Sequence, residues 1–180
     1  TVTELATLTA DGGTNALTIV IPAVGGVDAT AAQLNTINDA TSVAVNLTNV
    51  TQLGGSSLSD LGTLFTAIDA GQFTNGGFIT AIDVSDTTID ATTLATRIDT
   101  YDIIDGGGTT AFYLASGATI NVDAGEITHM LADESAGRLT ISDQVITVNS
   151  AATISVDTAN LLEATTTGVV TCLLYTSPSP

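Results

Sequence analysis

Four aspartates recur directly behind an aliphatic residue, Asp28 in Val27-Asp-Ala-Thr30, Asp90 in Ile89-Asp-Ala-Thr92, Asp123 in Val122-Asp-Ala-Gly125 and Asp157 in Val156-Asp-Thr-Ala159, and a fifth, Asp60 in Leu58-Ser-Asp-Leu61, is a degenerate copy. Two kinds of chemistry suit such a series. Stacked in a column at a strand spacing of about 4.8 Å, the carboxylates would form a row of Ca2+ sites, because that ion takes clustered carboxylate and carbonyl oxygens. Placed at the start of a helical turn, each would instead cap the turn, where free backbone N–H groups and the local dipole offset its charge. The expectation is that Asp28, Asp60, Asp90, Asp123 and Asp157 are caps, with Ca2+ the one cofactor to consider for them.

The other reactive residues mainly exclude functions. His129 is the only histidine and Cys172 the only cysteine, so a zinc site built from His and Cys together is excluded. No G-x-S-x-G elbow, P-loop or G-x-G-x-x-G occurs, and Gly106-Gly-Gly108 reads as a turn. Glycoside hydrolysis needs two carboxylates in unlike environments. Pairs such as Asp83 with Asp86, or Asp99 with Asp102, stand in no distinctive setting. His129 reads as a helix-surface residue, and Tyr101, Phe112 and Tyr113 as a core patch rather than a sugar platform. The chain is expected to carry no catalytic residue.

Charge narrows the partners. Nineteen acidic residues face two basic ones, Arg97 and Arg138, for a net charge of −17 over 180 residues. Nucleic-acid affinity rests on Lys and Arg neutralising phosphates, so nucleic acid is excluded, and so is an anionic membrane surface. The longest apolar stretch, Leu17 to Val24, is too short to span a bilayer. A positive mean hydropathy of +0.43 argues against disorder. There is no initiator Met and no basic start, so the chain reads as a fragment whose targeting signal would lie elsewhere.

The elements that position these residues follow from periodicity. The aspartate phrases start at 27, 58, 89, 122 and 156, a spacing of 31 to 34 residues that reads as a repeat. Within each unit, the aspartate opens a short helical turn; Thr30 with Gln33, and Asp123 with Glu126, have capping-box spacing. Alternating aliphatic and Thr/Ser/Asn residues follow, as in Ser42–Val45, Asn49–Leu53, Arg138–Ser142, Gln144–Val148 and Thr153–Asp157. Such alternation predicts strands with one buried face. Gly54-Gly55 follows the Asn49–Leu53 segment, and Gly12-Gly13, Gly25-Gly26 and Gly76-Gly77 read as turns. Only 4% of residues are aromatic against 44% hydrophobic, which suits a thin aliphatic core. The expected fold is all-β with short helical turns: a β-solenoid of 31–34-residue repeats over residues 27–171, with a β-sandwich as the alternative and residues 1–26 as part of a preceding unit. Outward Thr and Ser, as at Thr147, Thr153 and Ser155, are ordinary on a wet strand face.

Segments such as Leu34–Val45 and Ile154–Val170 resemble repeats of very long bacterial secreted and cell-surface proteins of adhesin-like, RTX-associated type. The G-x-G-rich calcium nonapeptide of that group is absent; Gly54–Asp60 only echoes it. The resemblance implies an extracellular or cell-surface location and a structural or adhesive role. Neighbouring repeats, cell-surface polysaccharide or another surface protein would be the partners. A calcium-stabilised secreted module and a polysaccharide-active enzyme are the alternatives. Residues 172–180, with the only Cys and two of three Pro, resemble translated sequencing-adapter read-through and are expected to be non-native.

Overall fold

The Leu- and Ile-bearing runs behind the aspartates form complete helices, not single turns. The structure is a computed structural model describing residues 1–8, 16–21, 28–108, 110–149 and 154–172. Its helices there are α1 (Val2–Leu5), α2 (Ala31–Asp39), α3 (Leu58–Asp69), α4 (Ala91–Asp105), α5 (Ile127–Ser135) and α6 (Val156–Thr165). The expected all-β class, and with it both the β-solenoid and the β-sandwich, is therefore overturned: the fold is mixed α/β with parallel sheets.

The physical reason lies in threonine. Thr-rich segments favour strands because the branched side chain crowds a helix. Here the hydroxyls of Thr96 and Thr100 donate to the carbonyls of Thr92 and Thr96 at 2.8 and 2.7 Å, and Thr66 does the same to Gly62. That back-bonding satisfies them inside a helix. Meanwhile Leu94, Ile98 and Tyr101 recur at helical spacing on the buried face of α4, and Leu58, Leu61, Leu64 and Phe65 do so on α3. Burial of these stripes outweighs the local preference.

Helix starts follow the expected chemistry more closely. Thr30 and Gln33 form a reciprocal capping box on α2, Ser57 caps α3, Asp90 caps α4 and Ser155 caps α6. The Asp123–Glu126 box does not form; Glu126 stands at the N-cap of α5 without a side-chain cap bond. Gly106 ends α4 with φ of 76°, a left-handed cap that glycine adopts without steric penalty.

The strands are β1 (Asp28–Ala29), β2 (Val45–Asn46), β3 (Gln52–Ser56), β4 (Phe73–Thr74), β5 (Ala81–Val84), β6 (Thr88–Asp90), β7 (Ala111–Leu114), β8 (Thr119–Val122), β9 (Leu139–Thr140), β10 (Val145–Val148) and β11 (Val170–Cys172). They form three parallel sheets, ordered β1-β3-β5-β7-β9, β6-β8-β10-β11 and β2-β4. Register aligns like with like. Leu53 pairs with Ile82, Ile82 with Phe112 and Phe112 with Leu139. Ile89 pairs with Ile120, Ile120 with Ile146 and Ile146 with Val170. All but Val170 are buried, so each ladder contributes one apolar row to a single core cluster shared with the helices. Phe65 of α3 stacks on Tyr101 of α4 with ring centroids 4.9 Å apart, while Phe112 is buried and Tyr113 exposed.

Two strand expectations are corrected. Gly54-Gly55 lies inside β3, where the pairing register shifts between Leu53 and Ser56, instead of closing it. The predicted strand Thr153–Asp157 is broken, because Ser155 caps α6 and Val156 begins it. The unit start at Val27, the Gly12-Gly13 and Gly25-Gly26 turns, Thr153 and residues 173–180 lie outside the described residues; Cys172 closes β11 opposite Val148.

Candidate functional site

A group of ionisable side chains gathers where α4 and α5 pack side by side. From α4 come Asp99 and Asp102, one turn apart. From α5 and its N-cap come His129, Asp133 and Glu126, with 126, 129 and 133 spaced i, i+3 and i+7 and therefore on one face. The chain leaves α5 through Gly137, whose φ is 74°, and returns Arg138 to the same place.

Burial separates these groups. The Asp133 side chain is 1% exposed, whereas His129 is 39% and Asp99 53% exposed. Arg138 holds one Asp133 oxygen: Nη2 donates to Oδ1 at 2.6 Å and Nε to the same oxygen at 3.1 Å. Nη1 faces Asp102 Oδ2 at 3.6 Å. The Asp133 hydrogen bond, then the Asp133, Asp102 and Asp99 charges, hold the Arg138 pKa above its ordinary value against the opposing effect of burial. Asp133 Oδ2 is buried and has no hydrogen-bond partner. It faces His129 Nε2 at 3.9 Å, which in turn lies 3.5 Å from Asp99 Oδ1. The Nδ1 edge of His129 is 4.0 Å from Glu126 Oε2. One ligand atom each from Asp99, His129 and Asp133 lies within 4.8 Å of the other two, and no other such group occurs among the described residues.

The five recurring aspartates are not brought together. Asp28 lies in β1 with Gln52 as its register partner. Asp90 caps α4, its Oδ1 accepting from Thr93 N and Thr93 Oγ1, each at 2.8 Å. Its partner in β8 is Asn121, so it is out of step with Asp123 by two residues. Asp60 sits in the first turn of α3, where its Oδ2 accepts from Ser57 Oγ at 2.7 Å. Asp123 occupies the turn before α5, and its carbonyl accepts from Glu126 N. Asp157 is in the first turn of α6. A single column of carboxylates is not formed. Asp86, which no local motif marks as a cap, accepts from Leu58 N at 2.7 Å and so caps α3 from a later segment of the chain.

A second feature is an open groove of about 610 Å3 along α2 and α3. Asn35, Asn38, Thr63, Thr66 and Gln72 line it with neutral polar groups, Asp39 adds a carboxylate, and Arg97 reaches in from α4. Arg97 Nε donates to the Leu58 carbonyl at 2.9 Å. Its guanidinium occupies the space that a Cβ on Gly62 would fill, with Cζ 2.5 Å from that position.

No family model, curated protein or solved structure matches the chain. Among the described residues no helix is long and apolar enough to cross a membrane.

Proposed function

We propose that the chain is a non-catalytic structural and adhesive module of a large extracellular or cell-surface protein. One observation carries the reading. Each strand of the two larger sheets pairs with strands about thirty residues away in sequence or fewer, and α1 packs on α2, α2 on α3, α3 on α4 and α4 on α5. Segments therefore contact mainly their sequence neighbours, and the polar surface they leave lies in an open groove along α2 and α3.

Two further features support the reading. The net charge of −17 keeps an extended surface solvated and separate from like molecules. The groove along α2 and α3 presents amides and hydroxyls with one guanidinium and the exposed Asp39 carboxylate, a lining that suits a neutral, hydroxyl-rich polymer such as a cell-surface polysaccharide. The location is proposed from the resemblance of the repeat phrases to bacterial surface proteins.

The test is to mix the chain with a set of neutral and acidic polysaccharides, following both retardation in polysaccharide-containing gels and release of reducing ends. Retardation without release supports an adhesive module. Release of reducing ends would overturn it in favour of a polysaccharide-active enzyme.

A further inference from the structure

The unpartnered oxygen of Asp133 is the most informative atom in the molecule. A buried acceptor without a donor costs about 1–3 kcal/mol, and such atoms call for an explanation. Here the explanation cannot be Arg138, because both of its close nitrogens address Oδ1. Oδ2 points instead toward the Nε2 edge of His129, which also faces Asp99.

We propose that Asp99 Oδ1, His129 Nε2 and Asp133 Oδ2 bind a divalent transition ion of the zinc class, stapling α4 to α5. Donors of a tetrahedral zinc ion at about 2.1 Å stand roughly 3.4 Å apart. The observed separations from His129 Nε2 are 3.5 and 3.9 Å. Closure asks little of the fold, since Asp99 and His129 are half-exposed and Arg138 already fixes Asp133. Three protein donors leave the fourth position to water.

Charge and donor type favour the same ion. Asp99, Asp102 and Asp133 act on one guanidinium, and Glu126 adds a carboxylate beside His129, so a dication reduces the excess negative charge rather than adding to a positive one. The imidazole donor selects for a transition ion over Ca2+, which takes six to eight oxygens. Glu126 Oε2 faces the other ring nitrogen at 4.0 Å, placed to receive its N–H and orient the ring, as the second carboxylate of a carboxylate–histidine–zinc arrangement does. The donor set is one imidazole and two carboxylates from two helices about thirty residues apart, so no short sequence motif marks it.

The test is titration calorimetry of the metal-free full chain, carrying Cys172→Ser to remove the thiol, with Zn2+ alone and with Ca2+ alone. The expected result is one Zn2+ per chain, with Ca2+ binding at least about 100-fold more weakly. His129→Gln and Asp99→Asn, at half-exposed positions, should keep the native circular dichroism spectrum and each weaken Zn2+ about 100-fold or more. Asp102→Asn, which removes an oxygen facing only Arg138, should change it less than about tenfold. Saturating Zn2+ should also raise the melting temperature by roughly 5 °C. Absence of Zn2+ binding, binding undiminished in folded His129→Gln, or Ca2+ binding as tight as Zn2+ would overturn the proposal.

Discussion

Arg138 binds a single oxygen of Asp133, through Nη2 at 2.6 Å and Nε at 3.1 Å, and leaves the other oxygen to face His129. The pair is lopsided in burial: the Asp133 side chain is 1% exposed and that of Arg138 28%. Removing the guanidinium strands a buried carboxylate, which is costlier than the pair itself is favourable. Arg138→Ala should therefore lose about 3 kcal/mol of stability, read as a lower urea midpoint. Arg138→Lys should recover only part of it, since an ammonium cannot place two donors on one oxygen in this fork.

Gly62 and Arg97 are coupled through space. Within α3, replacing Gly by Ala should gain about 1 kcal/mol of helix propensity. A Cβ at position 62 would displace the Arg97 guanidinium and its bond to the Leu58 carbonyl. Gly62→Ala should thus stabilise the Arg97→Ala chain by about 1 kcal/mol and the parent chain by clearly less. Equal gains in both backgrounds, measured by denaturant titration, would show that the two residues do not interact.

Tyr101 is buried, and its hydroxyl donates to the Gly76 carbonyl at 2.5 Å, with Ile79 O at 3.3 Å. Tyr101→Phe should cost about 1–2 kcal/mol. Burial first, and the Asp105 charge second, push the phenol pKa well above its ordinary value of 10.0. The unfolded chain therefore gives up this proton before the folded one. The contribution is fully present below pH 10 and is lost as pH rises toward the raised folded value. Alkaline denaturation curves should show this loss in the parent chain and lack it in Tyr101→Phe.

Asp143 carries the opposite sign. Ser116 Oγ donates to its Oδ2 at 2.5 Å, and that bond, followed by the Gly117 N–H, holds the carboxyl below its ordinary value. The resulting stability is present above the ordinary carboxylate range and fades as pH falls through the lowered value. Ser116→Ala should move the Asp143 titration upward in a carboxyl-carbon NMR experiment. An unchanged midpoint would remove the Ser116 bond as the main cause.

How much of this was legible beforehand depends on whether the signal was local. The Thr30–Gln33 box and the Gln144–Val148 strand rest on residues a few positions apart, and the chain shows both. The helices α3 and α4 were hidden by threonine, whose strand preference is reversed only by packing that composition does not display. The Asp99–His129–Asp133 group was half visible. His129 and Asp133 share a helix face at i, i+4, but Asp99 reaches them only because α4 and α5 are neighbours. Read in sequence, Asp99 paired more naturally with Asp102. The aspartate series misled for a related reason: similar phrases begin at different structural positions, Asp90 at a cap and Asp60 inside a first turn.

The central claim is that the chain is an adhesive module without catalysis, and binding without turnover tests it most directly. The full chain would be titrated into neutral and acidic polysaccharides by calorimetry, with reducing ends assayed on the same samples. The account predicts saturable binding that Asn38→Ala and Arg97→Ala weaken, with no release of reducing ends. Release of reducing ends, or no binding to any of the polysaccharides, would contradict it.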